Sequence, residues 1–366
     1  MFKPLTTQIC GSYSKPHWLA NHSRMGAYDG SWWRPDAEVL AEAREDAACL
    51  AIYEQERAGL DLITDGEAQR AAYDRHFLRG ISGIDFQHLQ HVAAADEITS
   101  LVRRQEGMDE FSELNQLGPR IVGELGWIEP VALEELRFLK RHARRPVKIT
   151  VPGPVTMASR LADAFYRDDE AVVAALAKVL NQELRALDRE GVDVLQIDEP
   201  AFHSRLSLAK RVGIAAVTQM VDGIRTPVIV HACYGYALAF SEKRANPGYA
   251  EVLELLASCP IAGISMEYEQ PRHDPALLRH CGDKHVVLGL LNLGSREIET
   301  ADHIARRLEA ACRVVPPERL HPSSDCGMWF LPRNVAFAKI SALAEGTELV
   351  RSERGSKRTD LASSSR

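Results

Sequence analysis

Short apolar runs rich in β-branched residues alternate along the chain with longer stretches that read as amphipathic helices. The runs are Leu5–Ser12, Leu60–Glu67, Val147–Val151, Val192–Pro200, Val228–Cys233, Ile261–Glu267, Val286–Leu293 and Leu320–Cys326. Helical patterning is predicted at about 35–57, 130–144, 168–190 and 333–345, and Gly191 supplies a stop for the third of these. Eight strand-like runs interleaved with helices predict an α/β fold, a (β/α)₈ TIM barrel, rather than an open sheet. An open doubly wound sheet needs a glycine-rich phosphate loop after its first strand, and Cys10-Gly-Ser-Tyr-Ser-Lys15 is not one. Residues 80–125 break the rhythm, with Gly80-Ile-Ser-Gly83 and a polar stretch that read as a hairpin outside the barrel. Residues 351–366 carry no apolar stripe, so the expectation is one barrel domain over 1–350 and a disordered tail.

Composition narrows the class of partner. The 366 residues are 45% hydrophobic and 26% charged, enough for a full core with an ordinary polar surface. A net charge of −7, spread without long blocks, argues against nucleic acid or an anionic membrane as partner. No run of about 18 apolar residues exists, and Met1-Phe-Lys-Pro-Leu-Thr-Thr7 is not a signal peptide. Seven cysteines, an odd number without regular spacing, suit reduced thiols in the cytoplasm.

The chemistry gathers where the apolar runs end. Ser12, Glu67, Asp198, His231, Cys233, Glu267 and Cys326 all stand at the C-terminal end of a run, the end that carries the active site in a barrel of this kind. His231 and Cys233 are two residues apart on an extended strand, so their side chains share one side. An imidazole and a thiol side by side make half of a zinc site. Cys326, within Ser324-Asp-Cys-Gly327, and Glu267 end two further runs. Barrel closure brings these four residues together, and they predict a zinc shell of two thiolates, a carboxylate and a neutral imidazole. A shell this electron-rich leaves a bound thiolate nucleophilic more than it acidifies water.

Seven motifs in this order resemble the catalytic half of cobalamin-independent methionine synthase, above all its short single-barrel members. They are Thr6-Thr-Gln-Ile-Cys-Gly-Ser-Tyr13, Asp65-Gly-Glu-Ala-Gln-Arg70, Gly153-Pro-Val-Thr156, Ile197-Asp-Glu-Pro200, His231-Ala-Cys233, Ile264-Ser-Met-Glu267 and Asp325-Cys-Gly327. The resemblance covers roughly residues 4–345. It implies a zinc-dependent transfer of a methyl group onto a thiol, most often that of homocysteine, with His231, Cys233, Glu267 and Cys326 as zinc ligands. It further implies that Asp198 and Glu67 hold the amino group of the substrate, while the backbone around Cys10–Ser12 receives its carboxylate. Pro200 favours an extended approach to the turn, which predicts that this carboxylate pair stays at the rim unburied.

The chain also departs from the full-length enzyme. It lacks the N-terminal half, Gly294 stands where a histidine acid is expected, and Arg160 stands where a tryptophan would support the folate ring. The thiol-activating half is thus complete and the half that handles the methyl donor is not. His17-Trp18, Tyr73, His76, His203 and Tyr236 are the side chains from which a donor pocket could be rebuilt. The donor stays open between methyltetrahydrofolate and a corrinoid or other carrier, including one delivered by a partner protein. Two further readings stand beside the first: a zinc alkyltransferase for another thiol, resembling epoxyalkane–coenzyme M transferase, and a zinc-binding barrel without turnover. The carboxylates Asp198 and Glu67 favour an amino-acid substrate over both.

Overall fold

The computed structural model describes residues 3–22, 32–72, 75–92, 117–234, 243 and 248–364, the last ten as backbone alone. In chain order its strands are β1 (Ile81–His91), β2 (Leu117–Trp127), β3 (Lys148–Pro152), β4 (Ala162–Asp163), β5 (Val194–Asp198), β6 (Val228–Ala232), β7 (Gly263–Met266), β8 (His285–Gly289) and β9 (Leu320–Ser323). Six of them form one parallel sheet in the order β3-β5-β6-β7-β8-β9. Every ladder in that sheet is parallel, with helical segments between successive strands. The six correspond to the last six apolar runs of the sequence, and their near-continuous burial is that of strands covered on both faces.

The first two runs behave differently. Neither Leu5–Ser12 nor Leu60–Glu67 forms a regular strand, yet both take a place in the ring as staves held by single hydrogen bonds. The Gln8 N–H donates to the Pro322 carbonyl at 3.0 Å, beside β9. Leu62 N–H donates to Thr7 O at 3.1 Å, and Lys148 N–H to Ile63 O at 2.9 Å, with a parallel bridge between Ile63 and Val147. These contacts join β9 back to β3 through two irregular staves, and the fold is a (β/α)₈ barrel. The backbone reason is local: Leu5 and Glu67 both adopt positive φ (56° and 52°), which ends extended pairing at the outer end of each run.

Within the excursion over 80–125, β1 pairs antiparallel with β2, which also pairs with β4 in a separate three-stranded sheet, while residues 93–116 lie outside the described residues. It is anchored by Glu183, whose carboxylate accepts the N–H groups of Val131 and Ala132. The helix that carries Glu183, Asp169–Glu190, is capped by Asp168 and stops at Gly191 in the left-handed conformation (φ 81°), as its sequence predicts. The final helix departs from expectation. It runs Arg333–Ser364 rather than ending near 345, so the backbone of the expected tail is helical to residue 364. Arg351 explains the extension through its first turn, since its guanidinium donates to Leu5 O at 2.9 Å and pairs with Asp61. Among the described residues, no helix is long and apolar enough to cross a membrane.

Candidate active site at the barrel mouth

His231, Cys233 and Cys326 meet at the C-terminal ends of β6 and β9, with their ligand atoms all within 4.8 Å of one another. All three are buried. The His231 Nδ1 is matched with Ser265 Oγ at 2.9 Å, because residues 231 and 265 are register partners on β6 and β7. The other ring nitrogen, Nε2, is buried and has no hydrogen-bond partner among the described residues. A buried, orphaned nitrogen beside two thiols is what a metal ligand presents before the ion is counted, and the donor set suits zinc. Burial lowers the His231 pKa to about 3, so the imidazole is neutral, as coordination requires. The Cys326 thiol is pushed up by its hydrogen bond to Cys233 and by burial.

Glu267, expected in the same group, is turned elsewhere. Its two carboxylate oxygens accept from Lys243 Nζ at 2.7 and 2.8 Å, and Oε1 also accepts the Tyr234 N–H at 3.0 Å. The structure therefore brings together three of the four expected ligands and holds the fourth against a buried lysine. No pattern in Ser241-Glu-Lys-Arg244 marks Lys243, because a short charge run ordinarily describes a solvated surface.

The other half of the mouth carries the carboxylates. Glu67 Oε1 accepts from Thr150 Oγ1 at 2.7 Å and lies 3.8 Å from Arg70 Nη1. Gly11 is what lets it sit there, since a Cβ at that position would come within 2.6 Å of the Glu67 carboxylate. Asp198 Oδ1 accepts from Gln196 Nε2 at 2.7 Å, and Lys148 Nζ in turn donates to the oxygens of Gln196, Gln8 and Ile9. Burial and the nearby Glu67 charge raise the Asp198 pKa to about 7. Neither carboxylate is at the rim: Glu67 is 7% and Asp198 9% exposed. The expectation from Pro200 fails because Pro200 is itself helical (φ −60°, ψ −27°) and opens the short helix Ala201–Ser204 directly after β5, so the chain turns at once instead of approaching extended. Such a pair suits an ammonium group.

Cys10 and Ser12 also lie at this mouth, both buried. The Cys10 N–H is already spent on Ser324 Oγ at 3.0 Å, and Ser324 Oγ donates to Cys326 O at 2.9 Å, so one serine stitches the two segments together. Several motif residues are fasteners. Glu199 accepts the N–H groups of Val155 and Thr156 and the Thr156 hydroxyl, and Gly153 leaves the space its carboxylate fills. Asp325 accepts the N–H groups of Tyr268, Glu269 and Gln270, bracing the loop that follows Glu267.

Of the residues considered for the donor, His76 is engaged with Glu135 at 2.6 Å, while His203 packs edge-on against Tyr234 with ring centroids 4.5 Å apart. His17 and Trp18 line a separate groove of about 480 Å³ with Glu54 and Arg333. Tyr73 and Tyr236 lie outside the described residues. At Gly294 a Cβ would meet Gln270 Nε2 at 2.5 Å, so Gln270 occupies the space a side chain there would need.

Fold and mouth together define a (β/α)₈ barrel enzyme with a His/Cys/Cys group facing a buried carboxylate pair. Residues 5–348 match the family model described as the catalytic domain of the cobalamin-independent synthase, and the chain belongs to the cobalamin-independent methionine synthase family. It is similar to the methionine synthases of Saccharolobus solfataricus (29% identical, covering 95% of this chain and 96% of that one) and Pyrococcus horikoshii (29%, covering 98% and 97%). Among solved structures it is similar to a B12-independent methionine synthase from Shewanella sp. W3-18-1 in complex with selenomethionine, at 30% identity and a TM-score of 0.83, covering 96% of this chain and 99% of that one. A chain from Listeria monocytogenes, 20% identical with a TM-score of 0.70, repeats the fold.

Proposed function

We propose that this enzyme moves a methyl group onto the sulfur of homocysteine to give methionine, with zinc held by His231, Cys233 and Cys326. The observation that carries the reading is the placing of that three-ligand group and the Glu67–Asp198 pair on one buried mouth. One end of the mouth is built for a sulfur and the other for an ammonium group, which describes a thiol amino acid. The Shewanella relative, solved with selenomethionine, fits a thioether amino acid as product.

A zinc ion bound there supplies the positive charge that keeps the substrate sulfur deprotonated near neutral pH. The remaining work falls on the chain. Asp198 and Glu67 take the substrate ammonium in charge-assisted hydrogen bonds, about twice as strong as neutral ones, and so fix the direction of the sulfur. The Gly11–Ser12 backbone meets the substrate carboxylate. Transfer forms the S–CH₃ bond and breaks the bond from methyl to donor, whose departing group keeps the electron pair; no external oxidant or reductant is needed. With Gly294 in place of an acid, a donor whose departing group needs no proton, such as a methylated corrinoid or a sulfonium, free or on a partner protein, fits this mouth. We place the reaction in the cytoplasm, where the seven free cysteines stay reduced.

The test is titration of zinc-loaded protein with homocysteine and, separately, with 2-mercaptoethanesulfonate. Homocysteine should release a proton and add a sulfur neighbour to zinc at about 2.3 Å in X-ray absorption. A zinc environment that ignores homocysteine but changes with the sulfonate thiol would replace this reading with that of another thiol alkyltransferase.

A further inference from the structure

Lys148 is a cation inside the barrel, one layer below the mouth. Its side chain is fully buried, and its ammonium donates to three neutral oxygens: Gln8 Oε1 at 2.7 Å, Ile9 O at 2.7 Å and Gln196 Oε1 at 2.8 Å. A barrel interior is ordinarily filled with branched apolar side chains, and taking an ammonium out of water is costly. A lysine in this layer therefore calls for a reason.

Register supplies one. In the ladder between β3 and β5, Lys148 is level with Val194 and Thr150 with Gln196. Alternate residues of a strand share a face, so Lys148 and Thr150 enter the barrel from β3 as Gln196 and Asp198 do from β5. Each mouth carboxylate is gripped from below by one oxygen. Thr150 Oγ1 donates to Glu67 Oε1 at 2.7 Å, and Gln196 Nε2 donates to Asp198 Oδ1 at 2.7 Å. Among the described residues none donates to Asp198 Oδ2.

An amide side chain has two unlike ends, an oxygen that accepts and a nitrogen that donates. Turned over, Gln196 would set its oxygen against a carboxylate and lose its hold on Asp198. Lys148 forbids that turn, since an ammonium only donates and must face the amide oxygen. Its charge also acts against the burial that raises the Asp198 pKa.

We propose that Lys148 is a positioning residue for the substrate ammonium: it fixes the Gln196 amide with its nitrogen toward Asp198, which ties one carboxylate oxygen and leaves the other to the substrate. The inference rests on the thiol amino acid reading above, and it deepens that reading by assigning recognition of the amino group to residues that never touch it.

The experiment is calorimetric titration of the zinc-loaded full chain with homocysteine and with 4-mercaptobutyrate, which is homocysteine without its amino group. Both affinities are taken on one preparation, so their ratio does not depend on the fraction folded. In Lys148→Met the preference for homocysteine should fall by about 10-fold, the scale of a hydrogen bond to a charged group, while 4-mercaptobutyrate binds as it does to wild type. An unchanged preference, with both ligands weakened alike or neither weakened, overturns the proposal. Should that variant fail to fold, Lys148→Gln takes its place with the same two outcomes, because an amide there can face Gln196 with either end. Lys148→Met/Gln196→Met should lose no more preference than Gln196→Met alone, since the two residues act through one contact. Losses that multiply would show Lys148 acting on Asp198 by itself and overturn the relay. A wild-type chain that does not prefer homocysteine to 4-mercaptobutyrate would remove the amino-acid reading itself, and this inference with it.

Discussion

The two halves of the mouth are built by different means. The metal half stands on β6 and β9, in a continuous parallel ladder where register alone puts Ser265 beside His231. The carboxylate half is mixed: Asp198 ends β5 in that same ladder, while Glu67 stands on a stave that never becomes a strand, where side chains do what a ladder would otherwise do. Thr64 Oγ1 donates to Gly11 O at 2.7 Å, the Gly66 N–H donates to Thr64 Oγ1 at 3.0 Å, and Gln55 bonds both the N–H and the C=O of Thr64. The ladder half suits ligands whose spacing must be held to a fraction of an ångström. The stitched half suits a carboxylate pair approached by a flexible ammonium, and it admits the left-handed backbone at Glu67 that a ladder would forbid.

If the halves are separable in this way, each can be broken alone. The largest effect belongs to the metal half: Cys233→Ser and Cys326→Ser should each lose most of the zinc, read by elemental analysis, while circular dichroism stays that of a folded barrel. A full zinc complement in both would remove the metal assignment. Next comes the donor. Single-turnover transfer to homocysteine should be about 10²–10⁴-fold slower from methyltetrahydrofolate than from methylcobalamin, the range a positioned acid is worth. Rapid, saturable transfer from the folate alone would put another group in the acid's place, and His203, beside Tyr234, is the first to test. In the carboxylate half, Asp198→Asn should weaken homocysteine binding by roughly 10–100-fold, from the loss of a hydrogen bond to a charged group, with zinc content unchanged. The smallest effect is expected of Gly11→Ala, whose Cβ would push against Glu67 and Thr150. Homocysteine affinity should fall by several-fold and zinc affinity should not move. A loss of zinc in either of these last two would show that the halves are coupled.

The same contrast explains what the sequence discloses. Runs such as Val228-Ile-Val230 and Val286-Val-Leu288 are apolar on both faces, so a buried parallel strand is the one element that fits them, and β6 and β8 lie there. Leu5–Ser12 has the same outline but carries Thr6, Thr7 and Gln8, whose side chains bond Lys3 O, the Asp61 carboxylate and the Lys148 ammonium; its place in the ring was legible, its irregularity was not. The three metal-type residues were legible because their spacing carries the chemistry. The burial of Asp198 and Glu67 was not, since it depends on walls supplied by distant staves. Lys243 was hidden for another reason: nothing local to a charge run tells that one of its members will turn inward. Gln196, Thr150 and Ser265 sat inside apolar runs, where a single polar residue among buried neighbours is the available signal. The helical continuation to residue 364 escaped because helices lacking an apolar stripe leave no periodic trace.

The bond from Gln8 to Pro322, and the clasp of Arg351 on Leu5 and Asp61, set a timetable for a chain emerging from the ribosome. Six staves can assemble in the order in which they are made. The second can seat on β3 and the first on the second, but the first cannot close the ring until residues beyond 320 have been released, and is not locked until residue 351 follows. The nascent protein therefore carries an open cylinder with an incomplete mouth until those residues have been made. That interval is when the open edges of the Leu5–Ser12 stave and of β9 are available to chaperones, and to other copies of the same unfinished chain.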